Sequence, residues 1–148
     1  FAGGGADRAR LEKLVETRDL SNVVMIPRQP KENMPKIWSL CDVSLVSLKD
    51  TPLFSKVIPS KIFESMAMKL PIIISVPEGE STEIVRREKV GLVIPPENPK
   101  RLADAILNVK NDNDIYHTYA TNSFLAAKKF NRKKLSIEMM NYIEDEIS

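Results

Sequence analysis

Apolar residues in this chain fall into short runs separated by segments carrying proline, glycine, asparagine or serine. Val23-Val24-Met25-Ile26, Asp42 to Ser47, Ile72 to Val76 and Gly91 to Ile94 are rich in β-branched side chains and bounded by breakers, as buried strands are. Phe1-Ala2, running into Gly3-Gly4-Gly5, reads as the end of a further strand followed by a tight turn. Between these runs the spacing turns helical. Leu11, Leu14 and Val15 form the buried side of a helix from Asp7 to Arg18, and Ile37, Trp38 and Cys41 that of a short helix capped by Asn33. Ile62, Phe63, Met66, Ala67 and Leu70 make one apolar arc, with Pro71 as its stop. A helix from Thr82 to Arg87 follows, then one opened by Asn98-Pro99 with Leu102, Ala103, Ile106 and Leu107 facing in. Beyond Asp112 the strand signal ends, and Asp114 to Lys129 and Arg132 to Ile147 read as two more helices.

Strands alternating with helices across short turns predict an α/β fold, a Rossmann-like parallel sheet with helices on both faces. Right-handed crossovers place every strand-to-helix loop on one edge. The glycine turn, Arg28-Gln29-Pro30, the loop before Ser60 and Glu78-Gly79-Glu80 are then expected to line a single cleft.

One stretch concentrates polar chemistry. Pro59 and Ser60 suit a helix start, where the serine oxygen can accept from an amide. Ser60, Lys61 and Glu64 fall on the polar side of the apolar arc. Bare amides and the positive dipole end suit a phosphate, and a carboxylate one turn along suits a diol. The same three residue types also open many ordinary surface helices, so the stretch by itself leaves both readings open.

Composition removes several classes. The 148 residues make one domain's worth of chain, with 43% apolar and 28% charged residues, typical of a globular protein. A net charge of +2, without basic tracts interleaved with aromatics, gives no support for nucleic-acid binding. The single cysteine, Cys41, excludes an internal disulfide, and the single histidine, His117, excludes a His-rich metal centre. Cys41 has no histidine or acid placed by sequence to activate it and reads as core. Gly3-Gly4-Gly5 matches the opening of a dinucleotide fingerprint, but Arg8 stands where its third glycine belongs.

Taken in order, these segments resemble the C-terminal, donor-binding domain of GT-B glycosyltransferases of the retaining family 4. The residues that carry the resemblance are the Gly3-Gly4-Gly5 turn, Cys41-Asp42-Val43, and Phe63 to Pro71. Gly79 to Glu83, Val90-Gly91-Leu92-Val93 and Pro96-Glu97-Asn98-Pro99 before Leu102-Ala103 complete it. Ile58-Pro59-Ser60-Lys61-Ile62-Phe63-Glu64 is similar to the branch that builds bacterial surface polysaccharide from UDP-linked sugars. The resemblance implies that residues 1–148 are a nucleotide-sugar-binding domain cut short at its N-terminus. The family's first C-domain strand, with its basic pair, and the N-terminal acceptor domain are missing, so the isolated domain is expected to be inactive.

Residue by residue, the resemblance implies that Glu64 accepts from the ribose hydroxyls and that Ser60 and Lys61 hold the diphosphate. Gln29 meets the base through its backbone, and Gly79 belongs to the cleft loop. The chain departs from the family at the first of its two glutamates, eight residues before Glu64, where Lys56 stands. A cation there is expected to stabilise the departing diphosphate, a catalytic role without a metal. The implied partners are a nucleotide-sugar donor and a carbohydrate or lipid-linked acceptor. No cofactor and no metal are expected, nor is nucleic acid. The implied location is cytoplasmic, at the inner face of the membrane if the full enzyme associates peripherally. Two other readings stand beside this one: a GT-B-fold nucleotide-sugar 2-epimerase and a non-catalytic α/β interaction module.

Overall fold

The computed structural model describes residues 1–147, which divide into two compact units, one over Phe1–Leu40 and one beginning at Cys41. In the first unit, Ala2 pairs in parallel with Ile26 through a single bridge, where sequence predicts two strands. The pairing is short because few bonds hold it: Gly3 N donates to Ile26 O at 3.1 Å and Ile26 N to Phe1 O at 2.7 Å. Helix α1 (Arg8–Thr17) and the short helix α2 (Met34–Trp38) complete the unit. Neither helix has a fully buried residue, and Leu11 is exposed rather than inward. Asn33 precedes α2 without giving it a side-chain cap.

The second unit carries the sheet. Strands β1 (Ser44–Ser47), β2 (Ile72–Ser75) and β3 (Gly91–Ile94) lie parallel in that order, with Ser44 opposite Ile72 and Ile72 opposite Gly91. All of β2 is buried, as a central parallel strand covered on both faces must be. Its side chains alternate between two clusters. Ile72 and Ile74 pack with Ile62, Met66, Ile84 and Val85, while Ile73 packs with Ile94, Ala105 and Val109. Helices α3 (Lys61–Ala67) and α4 (Glu80–Arg87) therefore cover one face and α5 (Pro99–Asn111) the other. On α5 the buried positions are Ala105 and Val109; Ala103 and Leu107 face outward.

Helix α6 (Asn113–Ala127) closes the layer over α3 and α4 by serving their ends. Ser123 Oγ donates to Leu70 O at 2.8 Å, Asn122 Nδ2 to Lys89 O at 2.9 Å, and Lys129 Nζ reaches Glu88 Oε2 at 2.6 Å. His117, on α6, is exposed. Helix α7 (Arg132–Ile147) has no buried residue.

Three helices end in one way. After α1, α3 and α4 a non-glycine residue takes a left-handed φ: Asp19 at 49°, Lys69 at 58° and Lys89 at 51°. The next amide then reaches back to the helix, Leu20 to Val15 O, Leu70 to Ser65 O and Val90 to Val85 O, at 3.0, 3.0 and 3.2 Å. This is the Schellman arrangement, which satisfies carbonyls that a helix end leaves open. It stops α3 at Ala67, three residues before the end its apolar arc predicts.

Candidate functional site

The amino end of α3 is built by the residues that precede it. Val57 is extended, and the chain turns through Ile58 and Pro59 into Ser60. The Ile62 amide donates to Pro59 O at 3.1 Å, and those of Phe63 and Glu64 donate to Ser60 O at 3.0 and 3.1 Å. Among the described residues the amides of Ser60 and Lys61 have no such acceptor, the usual condition of a first helical turn. The inner side is anchored. Ile62, Ser65 and Met66 are completely buried, and Phe63 stacks at a tilt on Phe130, with ring centroids 5.0 Å apart. Each buried large side chain contributes about 1.5–3 kcal/mol. Ala67, placed by its spacing on the apolar arc, is exposed instead.

Ser65 also ties α3 to the sheet. Its Oγ lies 2.6 Å from Ser44 Oγ on β1 and 2.6 Å from Lys61 O. With one proton per hydroxyl, Ser65 can donate to the carbonyl while Ser44 donates to Ser65, so the buried pair is satisfied.

The outer side is polar. Ser60, Lys61 and Glu64 are all exposed. Ser60 does not cap the helix with its side chain, which corrects the sequence expectation. Its φ of −58° and ψ of −25° are already helical, whereas a capping serine takes extended dihedrals to aim its oxygen at the later amides. The hydroxyl instead donates to Glu64 Oε1 at 3.1 Å. Hydroxyl and carboxylate are thus held together on one corner, with the Lys61 ammonium stem beginning beside them.

Lys56 closes a tight turn over Phe54–Lys56 and is exposed. Ser55 Oγ donates to Pro52 O at 2.8 Å, tightening that turn. Gly79 lies against it: a Cβ built on Gly79 would stand 2.0 Å from Ser55 O. Here glycine is required by close approach of two backbones. Glu78, next to it, takes Arg86 in a fork, Oε1 to Nη2 at 2.6 Å and Oε2 to Nη1 at 2.7 Å. The guanidinium bonds, aided by Thr82, hold the Glu78 carboxyl down at about 2. Sequence places Glu78 in a cleft loop and Arg86 near the end of a helix but not the fork between them, because residues eight positions apart across a helix start follow no i,i+4 rule.

A cavity of about 450 Å³ opens at the carboxyl ends of β1 and β2, lined by Ser47, Lys49, Ser75, Glu97, Asn98 and neighbouring apolar residues. Lys56, Ser60, Lys61, Glu64 and Gly79 do not line it. Glu97, with φ of 54°, accepts from the Asp50 amide at 3.4 Å and so ties the loop after β1 to the start of α5.

Gln29 belongs to the first unit, where its Nε2 donates to Pro27 O at 3.1 Å. In the same unit Arg8 Nη1 donates to Gly3 O and, at 2.8 Å, to Ile26 O. The side chain that breaks the dinucleotide fingerprint thus fastens the ends of the two paired segments. Among the described residues no group of three His, Cys, Asp or Glu is placed to hold a metal ion, and no helix is long and apolar enough to cross a membrane.

Residues 1–125 match the family model described as glycosyl transferases group 1. An exopolysaccharide phosphotransferase of Streptomyces coelicolor is 23% identical over 128 residues, covering 86% of this chain and 13% of that protein. Sucrose-phosphate synthase of Thermosynechococcus elongatus superposes with a TM-score of 0.79 at 26% identity, over 97% of this chain and 35% of that one. Anabaena HepE, solved with UDP-glucose, gives a TM-score of 0.77 at 20% identity, over 97% of this chain and 40% of that one. The chain therefore spans well under half the length of each of these relatives. Their likeness agrees with the Rossmann-like GT-B architecture described above.

Proposed function

Because the chain belongs to the group 1 glycosyltransferases, we propose that it is the C-terminal donor-binding domain of a retaining transferase. Its donor is a nucleotide diphosphate sugar, UDP-linked, and its acceptor a surface polysaccharide or a lipid-linked glycan held by a separate N-terminal domain. The enzyme works without a metal, in the cytoplasm or at the inner membrane face.

The observation that carries this reading is the corner at the start of α3. The Ser60 and Lys61 amides lack acceptors there, and the Ser60 hydroxyl lies 3.1 Å from the Glu64 carboxylate. An ionised carboxylate only accepts, and so suits the two vicinal donors of a ribose. Amides at a helix start, joined by an ammonium, suit a diphosphate. Lys56 stabilises the leaving group, and Gly79 shapes the loop beside it. HepE, a relative in fold, was solved with UDP-glucose, which fits the donor class.

Lys56 also favours a second reading, a non-catalytic interaction module, because a cation replaces the acid expected eight residues before Glu64. The 2-epimerase reading has less support: the corner offers a hydroxyl, a cation and one carboxylate rather than a carboxylate cluster. Titrating UDP into the protein while following backbone amides by NMR separates these. Selective shifts at Ser60, Lys61 and Glu64 are the expected result. Silence at millimolar UDP would reject donor binding by this chain and leave the interaction module.

A further inference from the structure

Arg86 sits two turns into α4, yet its strongest hydrogen bonds lead back to Glu78, in the turn before that helix. Its guanidinium grips both oxygens of Glu78, at 2.6 and 2.7 Å. Thr82 Oγ1 lies 2.9 Å from Glu78 Oε2 and accepts from the Gly79 amide at 3.1 Å. Gly79 O in turn accepts from the Thr82 and Glu83 amides at 3.0 and 3.1 Å. Both carboxylate oxygens of Glu78 and both backbone groups of Gly79 are therefore engaged. The Gly79 Cα faces the Ser55 carbonyl so closely that even a methyl group cannot enter. Ser55 immediately precedes Lys56.

We propose that Glu78 and Arg86 are positioning residues for the donor site: through Gly79 they brace the Phe54–Lys56 turn and set where the Lys56 ammonium stands. The ligand consequence rests on the donor-binding reading above, but the brace itself does not. A bidentate Arg–carboxylate fork fixes orientation as well as distance, which a single lysine contact cannot do. Phosphate recognition depends on such placement, since displacement by about 1 Å at a reacting site can cost about 100-fold. Arg87 supplies the contrast. It is the neighbouring arginine on the same helix, but it pairs with Glu80 and Glu88 and has no hydrogen bond to Glu78.

The test compares Arg86→Ala, Arg86→Lys, Gly79→Ala and Arg87→Ala in the 148-residue chain. In ligand-free spectra, Arg86→Ala and Gly79→Ala should shift or broaden the Ser55 and Lys56 amides, and Arg87→Ala should leave them in place. With UDP, the first two should bind about threefold more weakly than the parent, no more than loss of an exposed cation contact costs, Arg86→Lys should recover part of the loss, and Arg87→Ala should match the parent. Unmoved Ser55 and Lys56 amides in a folded Arg86→Ala protein would overturn the brace, as would equal effects from Arg86→Ala and Arg87→Ala. If Arg86→Ala fails to fold, Arg86→Lys and Gly79→Ala decide the matter by the same amides. A parent protein that ignores UDP defeats the donor reading, and the ligand-free spectra still judge the brace.

Discussion

Ser60 Oγ and Glu64 Oε1 lie 3.1 Å apart, one helical turn from each other, on the exposed side of a helix whose opposite side is completely buried. The bond spends the serine proton on a side chain rather than leaving the oxygen to cap an amide. It holds the carboxylate in one orientation before any ligand arrives. Glu64→Gln keeps the shape but removes the charge, and a hydrogen bond to a charged group is worth about 1.5–3 kcal/mol. UDP affinity should fall about tenfold or more. Ser60→Ala should cost less, about two- to fivefold, because it only releases the carboxylate. Calorimetric titration of both variants checks this order, and a Ser60→Ala loss exceeding that of Glu64→Gln contradicts it.

Lys56→Ala separates binding from chemistry in the full-length transferase. If the ammonium meets charge that develops on the leaving diphosphate, kcat should fall about 100-fold while the dissociation constant of UDP changes by only a few fold. Steady-state kinetics beside nucleotide binding make the comparison. Equal losses in the two quantities reduce Lys56 to a ground-state contact.

The Glu78–Arg86 fork makes stability depend on acid. The folded Glu78 carboxyl is held at about 2, below its ordinary value of 4.5. The contribution is therefore fully present above about pH 4.5 and fades as pH falls toward 2. Both side chains are well exposed, so solvent screening limits its worth to about 1 kcal/mol or less. The melting temperature of Glu78→Gln should lie below that of the parent at pH 6, with the gap closing between pH 4.5 and 2. A gap that persists at pH 2 would show that the fork is not its source.

Ser81 is fully buried in the first turn of α4, and among the described residues its hydroxyl has no hydrogen-bond partner. An unpaired buried hydroxyl costs about 1–3 kcal/mol, and alanine is the better helix former. Ser81→Ala should raise the unfolding free energy by about 1 kcal/mol, read from urea midpoints at constant slope. A loss of stability would reveal a partner for the hydroxyl.

Lys69 and Lys89 bear left-handed backbones at the ends of α3 and α4. Such a conformation costs a residue with a Cβ about 1–2 kcal/mol, and glycine is free of that cost but loses more chain entropy on folding. Lys69→Gly and Lys89→Gly should each stabilise by about 0.5–1 kcal/mol, again by urea unfolding. Destabilisation by either would mean that the lysine stem supplies packing that outweighs the strain.

These joints also explain how much of the fold was legible in the sequence. The buried strands announce themselves because Ile72-Ile73-Ile74 has room for nothing else between breakers, and the parallel α/β class follows from alternation alone. The end of α3 does not announce itself. The usual glycine signal for a left-handed stop is replaced by Lys69, and Leu70 continues the apolar period although it belongs to the joint. Val23 to Ile26 looks like a strand by composition, but pairing needs a neighbour, and one bridge is all that Ile26 makes among the described residues. At the candidate site the residue types were legible and their bonding was not. Ser60 reads as a cap from its position, and only its dihedrals send the hydroxyl to Glu64. The Arg86 fork was invisible because it joins a loop to a helix interior across eight positions.

The repeated left-handed stop has an evolutionary corollary. It fastens the chain where it enters β2 and again where it leaves α4, using backbone bonds that hardly depend on side-chain identity. The segments leaving the strands, from Leu48 to Pro59 and from Pro77 to Gly79, are under no such constraint on their composition apart from the Glu78 that Arg86 grips and glycine at 79. Natural variation can therefore redraw ligand preference on one rim of the sheet while the opposite rim goes on supplying the rigidity that makes a new preference heritable.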